Sequence, residues 1–413
     1  MAELTENFDA LRKPVKEVER RSGPYPYYGA SGVVDHVDSF LFDGEYLLIA
    51  EDGENLRTRK TPIAFLARGK FWVNNHAHIV RGNSHADSRF LMYALSSVDI
   101  EAYLTGSTMP KLTQGNMNRI EFLAPPVTEQ RAIARILGAL DDKIDLNRRM
   151  SQTLEAMARA LFKSWFVDFD PVRAKAEGRD PGLLTAVAKL LPDSFEDSEL
   201  GEIPEGWRAA RLDDKTLVVD CLHSKKPEEC EEGMTLLGLQ NIRDDGLLDL
   251  SVRYSISESD FREWTSRFEP RGGDCVITNV GRVGAAAQIP EGTRVALGRN
   301  MTGLRCRESF PFPTVLIECL LSDAMREEID RKTDAGTILN ALNVRNIPLL
   351  RFVCGPDDIL TEFEAICRPL RARMEASLAE SRTLAALRDT LLPKLVSGEL
   401  RIPDAERIVG KAV

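Results

Sequence analysis

The sequence predicts an α+β (mixed α/β) protein: two similar globular domains separated by two long antiparallel helices that form a coiled coil, with internal pseudo-two-fold symmetry. Three observations predict it. The chain repeats itself at a fixed shift, Gly106 to Gly336 being 230 positions. Each copy ends in a stretch with apolar residues at alternating steps of four and three, the heptad spacing of paired helices. Each copy begins with apolar runs between glycine-bearing turns, the pattern of short strands.

The repeat is carried by Gly106/Gly336, Ser107/Thr337, Met109/Leu339, Leu112/Leu342, Asn116/Asn346, Met117/Ile347, Ile120/Leu350, Phe122/Phe352, Leu123/Val353 and Pro126/Pro356, in register without a gap. It continues through Ile133/Phe363, Ile136/Ile366, Leu140/Leu370, Ile144/Met374, Leu154/Leu384, Met157/Leu387 and Leu161/Leu391. Solenoid repeats are about 20 to 50 residues long, so this period marks a duplicated domain.

Taken in order, residues 1–127 form the first domain, with short strands and one helix. LFDGEYLLIAEDG and KFWVNNHAHIV read as strands, and FLMYALSSVDIEAYL as a helix with Phe90, Leu91, Ala94, Leu95 and Val98 on one face. TGSTMPKLTQGNMNRIEFLAPP reads as a polar loop running into a strand, closed by Pro125 and Pro126. A central helix spans 128–167, started by Thr128-Glu129-Gln130, with the seam Ile133, Leu137, Leu140, Ile144, Asn147, Ser151, Leu154, Ala158, Leu161 and Trp165. Residues 168–206 are rich in Pro, Gly and acid and read as a connector with one short helix at 181–191. The second domain spans 207–357, where RGGDCVITNVGRVGAAAQI takes the part of DGEYLLIAEDGENL. A second helix spans 358–397, with the seam Phe363, Cys367, Leu370, Met374, Ser377, Ser381, Leu384, Arg388, Leu391 and Leu395; a tail, 398–413, follows.

At about 1.5 Å per residue the two helices would run roughly 55 to 60 Å. Paired antiparallel, their polar central steps, Asn147 and Ser151 against Ser377 and Ser381, would coincide and fix register. The alternative is two separate amphipathic helices, each packed on its own domain.

Composition narrows the function. With 413 residues, 43% hydrophobic and 29% charged, the chain can bury two or three cores. No apolar run is long enough to span a membrane or serve as a signal peptide, which points to the cytoplasm. Seven cysteines, all in the second half and without a CxxC pair, read as free thiols. A net charge of -10 argues against a uniformly basic surface, though Arg57-Thr58-Arg59-Lys60, Arg68-Gly69-Lys70 and Lys225-Lys226 are local basic runs. There is no GxG triplet, P-loop, methyltransferase tetrapeptide or nuclease triad, so neither a cofactor nor catalysis is signalled. His76-x-His78 with His85, and Cys221, His223 and Cys230, lack the companions of a metal site, and no metal is expected. Two similar frames with unlike loops fit a ligand that is itself two-fold in shape, above all duplex DNA.

The glycine-polar loop, strand and proline in each copy are followed by a long helix. The helices end LFKSWFVDFDPV and LLPKLVSGELRI. From Tyr25 to Ile402 this resembles the specificity subunit of type I restriction-modification systems. The first copy departs from the pattern in having only about 24 residues before YPYYGASG, against about 30 between Trp207 and LLGLQN in the second. The resemblance implies two target-recognition domains reading a bipartite, asymmetric double-stranded DNA target. It also implies assembly with two modification (methyltransferase) subunits, with restriction subunits able to join. The methyl-donor and ATP sites then belong to those partners.

The expected DNA contacts are Arg57, Arg59 and Lys60, then Asn74, Asn75 and His76, then Ser107, Thr108, Lys111 and Gln114. In the second domain they are Asn279, Arg282, Arg299, Asn300, Thr337, Asn340, Asn343 and Arg345. Arginine suits bidentate contact with guanine or phosphate, lysine mainly phosphate. Leu161, Phe162, Trp165, Phe166, Leu391, Leu392 and Leu395 are candidates for docking partner subunits, or simply close the helix pair. A helical scaffold whose globular units bind protein rather than DNA would fit the acidic charge equally well.

Overall fold

The heptad stretches fold into two helices of 40 residues each, Val127–Phe166 and Asp357–Val396, whose first and last residues stand 230 positions apart. The element ahead of each repeats at the same shift: the helix Gln114–Arg119, and the 3-10 helix Val344–Leu349. Thr113 and Asn343 cap these two elements, each side chain accepting a main-chain N–H. Asn116 and Asn346 each donate through Nδ2 to a main-chain carbonyl, Tyr103 at 2.8 Å and Lys332 at 2.9 Å. The duplication therefore extends from apolar positions to element boundaries, caps and hydrogen bonds.

The computed structural model describes residues 1–334 and 340–413. They divide into two units, Met1–Leu146 with Ser381–Val413, and Asn147–Glu380. Each unit contains a segment of both long helices, so neither helix packs on one domain alone. In the second unit the segments run in opposite directions. Asn147 Nδ2 donates to Glu380 Oε2 at 2.7 Å, and further along Phe162 and Trp165 meet Phe363 with ring centroids 5.8 and 5.9 Å apart. In the first unit Arg388 donates to Asp141 at 2.7 Å, and Leu384, Leu391, Leu392 and Leu395 share a core with Ile133, Leu137 and Leu140. Asn147 and Ser377, two of the expected central polar steps, are both buried.

The first unit is built on a six-stranded sheet in the order Thr5–Asn7, Ala77–Gly82, Phe42–Ala50, Ala64–Val73, Tyr25–Gly29, Gly32–Val37. Phe42, Tyr46 and Phe71 pack into one aromatic cluster on it. The helix Ser88–Ser97 buries Phe90, Leu91, Ala94 and Leu95, with Asp87 accepting the N–H groups of Arg89 and Phe90. KFWVNNHAHIV, expected as one strand, is two: Asn74–His76 links the strands ending at Val73 and beginning at Ala77.

One expected strand is missing from the first unit. Residues 120–126 are irregular, whereas their counterpart Arg351–Cys354 pairs antiparallel with Arg208–Arg211. A strand needs an edge to bond with. The segment after Trp207 supplies one to the second copy.

Residues 168–206 are more structured than a connector. They form the helices Asp170–Ala176 and Thr185–Leu190 and the hairpin Phe195–Ser198/Gly201–Pro204, and bury Phe169, Val172, Val187, Leu191 and Ile203 in the second unit's core. The tail carries a helix, Ile402–Val409, that buries Ala405 and Val409 in the first unit.

The second unit has a four-stranded antiparallel sheet, Thr216–Asp220, Met301–Cys306, Cys275–Thr278, Ala286–Gln288. Beside it is a three-stranded sheet, Ser255–Ile256, Met234–Leu237, Val295–Leu297, whose last pair is parallel. The helix Pro313–Leu321 lies against the second long helix through a buried ion pair, Arg371 Nη1 to Glu318 Oε1 at 2.9 Å. All seven cysteines are free, and no described helix is long and apolar enough to cross a membrane.

Candidate nucleic-acid interface

In the first unit the three segments singled out by sequence meet at one place, where the strand Phe42–Ala50 ends. Glu51 N–H donates to His76 O at 2.9 Å, Gly53 N–H to Pro110 O at 3.1 Å, and Leu112 N–H to Glu51 O at 2.7 Å. Thr105 and Lys111 exchange both main-chain hydrogen bonds, at 2.8 and 2.7 Å, closing the loop between them. Gly106 makes that closure possible: its φ is +89°, and a Cβ there would lie 2.2 Å from Met109 O.

Side chains reinforce the junction. His76 Nδ1 lies 2.8 Å from the Asp52 carboxylate, Lys111 Nζ 3.2 Å from Glu51, and Arg57 Nε 3.3 Å from Glu101. The side chains of Lys60, Asn75, Ser107, Thr108 and Gln114 are exposed and make no hydrogen bond or ion pair among the described residues. Two expected contacts are placed otherwise. Arg59 adopts a left-handed φ of 46° and donates to the carbonyls of Leu95, Ser96 and Val98, closing the C-terminus of the helix Ser88–Ser97. Burial pulls its guanidinium pKa down, with Asp99 opposing. Asn74 is buried, its Oδ1 accepting His76 N–H at 2.8 Å in a local turn.

Beneath the junction lies a buried charged network that sequence reasoning missed. His78, 1% exposed, faces an acceptor at each ring nitrogen: Nδ1 is 2.6 Å from Asp9 Oδ2 and Nε2 is 2.7 Å from Leu112 O. Arg12 donates to Glu51 at 2.7 Å and to Ala77 O at 2.6 Å. Burial pushes the Asp9 carboxyl up, but its hydrogen bond and charge pairing with His78, the Ile79 N–H and Arg12 outweigh this and hold it below the usual range. Burial likewise pushes the Glu51 carboxyl up, but Arg12, His78 and Lys111 together outweigh this and hold it below the usual range. His78 was visible in the sequence only as half of a His-x-His pair. Its partners lie 69 and 34 residues away, out of reach of local pattern.

The second unit repeats the docking of the first. Leu342 N–H donates to Asn279 O at 2.9 Å as Leu112 does to Glu51 O, and the bridge Val280↔Ala341 matches Asp52↔Lys111. Asn279 is buried, its amide 3.2 Å from Thr302 Oγ1. Arg282 is tied to Asp244 and to the carbonyls of Leu239 and Ile242. Arg299 holds Ser224 O at 2.9 Å, and Asn300 sits at a left-handed φ of 65°. Asn343 is engaged as the cap already described, Asn340 and Arg345 are exposed, and Thr337 lies outside the described residues.

The residues offered for partner docking are interior. Phe162, Trp165 and Phe166 meet Phe363 edge to face in the second unit, Leu161 packs against the same core, and Leu391, Leu392 and Leu395 are buried in the first. Their apolar surface is already covered by this chain, so they serve packing.

His76 and His78 address different carboxylates and do not converge. The described residues that do bring three donor types together are Asp220, Cys221 and His223, with His223 Nε2 2.8 Å from Asp220 Oδ2. Burial raises the Cys221 thiol pKa, which works against the thiolate a soft cation needs. Cys230 Sγ contacts Glu232 O at 3.1 Å instead.

Two copies of one α+β frame, each with a polar loop junction at a strand end, make this a duplicated protein. Comparison with known proteins agrees. Residues 2–156 match the type I restriction modification DNA specificity domain. A putative type I restriction enzyme specificity subunit from Haemophilus influenzae is 41% identical over 129 residues, 31% of this chain and a third (33%) of that protein's own length. The HindI specificity subunit of the same organism is 25% identical over 411 residues, 87% of this chain and 84% of that protein. The crystal structure of the type I restriction-modification S subunit from M. genitalium has the same fold, with a TM-score of 0.59 at 16% identity and 95% of each chain covered. Over 87% of its length the chain is thus similar to specificity subunits of type I restriction enzymes.

Proposed function

We propose that this chain is the sequence-reading subunit of a type I restriction-modification complex, working in the cytoplasm and performing no chemistry itself. Each unit reads one short block of duplex DNA, and because the loops differ the two blocks form an asymmetric target around a nonspecific spacer. Two modification subunits join the chain and bring the methyl-donor site, and restriction subunits can be added. The single observation that carries the reading is a shared main-chain contact, Leu112 N–H to Glu51 O in one unit and Leu342 N–H to Asn279 O in the other, at positions where the surrounding sequences differ.

In the first unit the reading rests on Lys60, Asn75, Ser107, Thr108 and Gln114 as unengaged exposed groups, with Arg57, His76 and Lys111 beside them. In the second it rests on Arg299, Asn340 and Arg345. Methylation mapping of genomic DNA with and without this chain tests it, together with salt-dependent binding of the reconstituted complex to the mapped duplex. Two unlike blocks, only one of which changes when residues 25–127 are exchanged for those of a relative, support the reading. Binding indifferent to sequence, or a change in both blocks, refutes it and leaves the protein-binding scaffold.

A further inference from the structure

In the second unit the parallel strands Met234–Leu237 and Val295–Leu297 stop together, Leu237 opposite Leu297, and each runs directly into glycine, Gly238 and Gly298. Strands that end side by side in this way leave a crevice past their carboxyl ends, the place ligands take in open α/β sheets. The two glycines keep it open. A Cβ on Gly298 would lie 2.1 Å from Leu237 O, and one on Gly238 would lie 2.4 Å from the Gln240 amide oxygen.

The resulting cleft has a volume of about 180 Å³, with Tyr254 in its wall and Lys226, Gln240 and Arg299 among its lining. Tyr254 donates its hydroxyl to Pro227 O at 2.7 Å, which fixes the ring, and Lys226 Nζ sits 3.3 Å from the ring centroid. Arg299 uses Nε and Nη2 on one carbonyl, that of Ser224, and so keeps further N–H groups for another acceptor. Gln240 is exposed, and its amide makes no hydrogen bond among the described residues.

That combination singles out Gln240. Three of the polar groups that the sequence first suggests in this unit are engaged within the fold: Asn279 with Thr302, Arg282 with Asp244, Asn343 as a cap. A primary amide presents a donor and an acceptor side by side, the complement of adenine N6 and N7 in the major groove. An ammonium and a guanidinium flanking it suit phosphate.

We propose that the rim of this cleft is the base-reading edge of the second unit, with Gln240 reading one adenine and Lys226 and Arg299 holding the adjoining phosphates. This rests on the function proposed above and deepens it. The test uses the full chain assembled with its modification subunits and a panel of duplexes carrying every single-base change in the mapped target. Gln240→Ala lowers discrimination at one adenine of one block by roughly 10- to 100-fold and leaves the other block untouched. Gln240→Glu keeps the stem and swaps the amide for an acceptor, so preference at that position moves toward cytosine. Lys226→Ala and Arg299→Ala each weaken binding to every sequence alike and lower the salt slope by about one. If both Gln240 variants discriminate as the wild type does, the inference is overturned while the two-block reading stands. A wild-type complex without any two-block preference removes both.

Discussion

Replacing Arg371 with methionine removes the charge that lets the second unit bury Glu318. The two side chains are 3% and 2% exposed and meet at 2.9 Å, so solvent screens them little, and Arg371 Nη2 also donates to Gly246 O at 2.9 Å. Arg371→Met leaves an uncompensated buried carboxylate, which costs about 3–5 kcal/mol. Against a domain stability of about 5–15 kcal/mol this is a large fraction.

The sign of the pH dependence follows from Glu318. Burial raises its carboxyl above the ordinary range with Arg371 opposing, and without Arg371 the rise is greater. An acid whose folded pKa is raised contributes most below the ordinary glutamate range, and that contribution is lost as pH climbs through the raised value. The deficit of Arg371→Met is therefore greatest near pH 8 and shrinks toward pH 5.

Urea unfolding of the full chain followed by tryptophan fluorescence reads this out, because Trp165, Trp207 and Trp264 lie in the second unit and only Trp72 in the first. Arg371→Met combined with Glu318→Gln recovers most of the loss, since neither charge of the pair remains. A wild-type midpoint for Arg371→Met, a deficit independent of pH, or no recovery in the double variant would each show that Arg371 does not compensate a buried Glu318 charge.

Three further outcomes are expected. Gly106→Ala places a Cβ 2.2 Å from Met109 O at a φ of +89°, so it costs at least about 1–2 kcal/mol and degrades only the block read by the first unit, checked by thermal unfolding and methylation mapping. Asp9 contributes stability that is complete above the ordinary carboxylate range, about pH 4, and is lost as pH falls through its lowered pKa. Asp9→Asn therefore starts less stable and lacks that acid limb when Trp72 fluorescence is followed during acid unfolding. Leu391→Ala empties a core position that is 4% exposed and destabilises the first unit by about 2–5 kcal/mol, while the folded protein keeps wild-type affinity for the modification subunits in a titration.

Arg59 and Lys60 show where local reading stops. They are neighbours of like charge, equally good phosphate contacts on paper, yet one closes a helix end 36 to 39 residues away and the other stands exposed. The same division separates the buried Asn279 from Gln240, an unremarked residue in LLGLQN that the strand ends bring to a cleft rim. The strand expected at 120–126 is irregular, while its counterpart Arg351–Cys354 is a strand through a partner far away in sequence, Arg208–Arg211.

By itself the sequence determined the duplication, the two 40-residue helices and their polar centres, because helical periodicity and a fixed shift are properties of residues close along the chain or in register with themselves. It also determined which segments of the first unit carry the candidate contacts, since glycine and polar loops mark themselves locally. Tertiary structure decided which side chains stay exposed, that Phe162, Trp165 and Leu391 are core, and that His78 joins Asp9 to Leu112 under the loop junction. Those outcomes depend on contacts between residues tens to hundreds of positions apart, where burial and hydrogen-bond partners are set by the packed chain and leave no periodic trace in it.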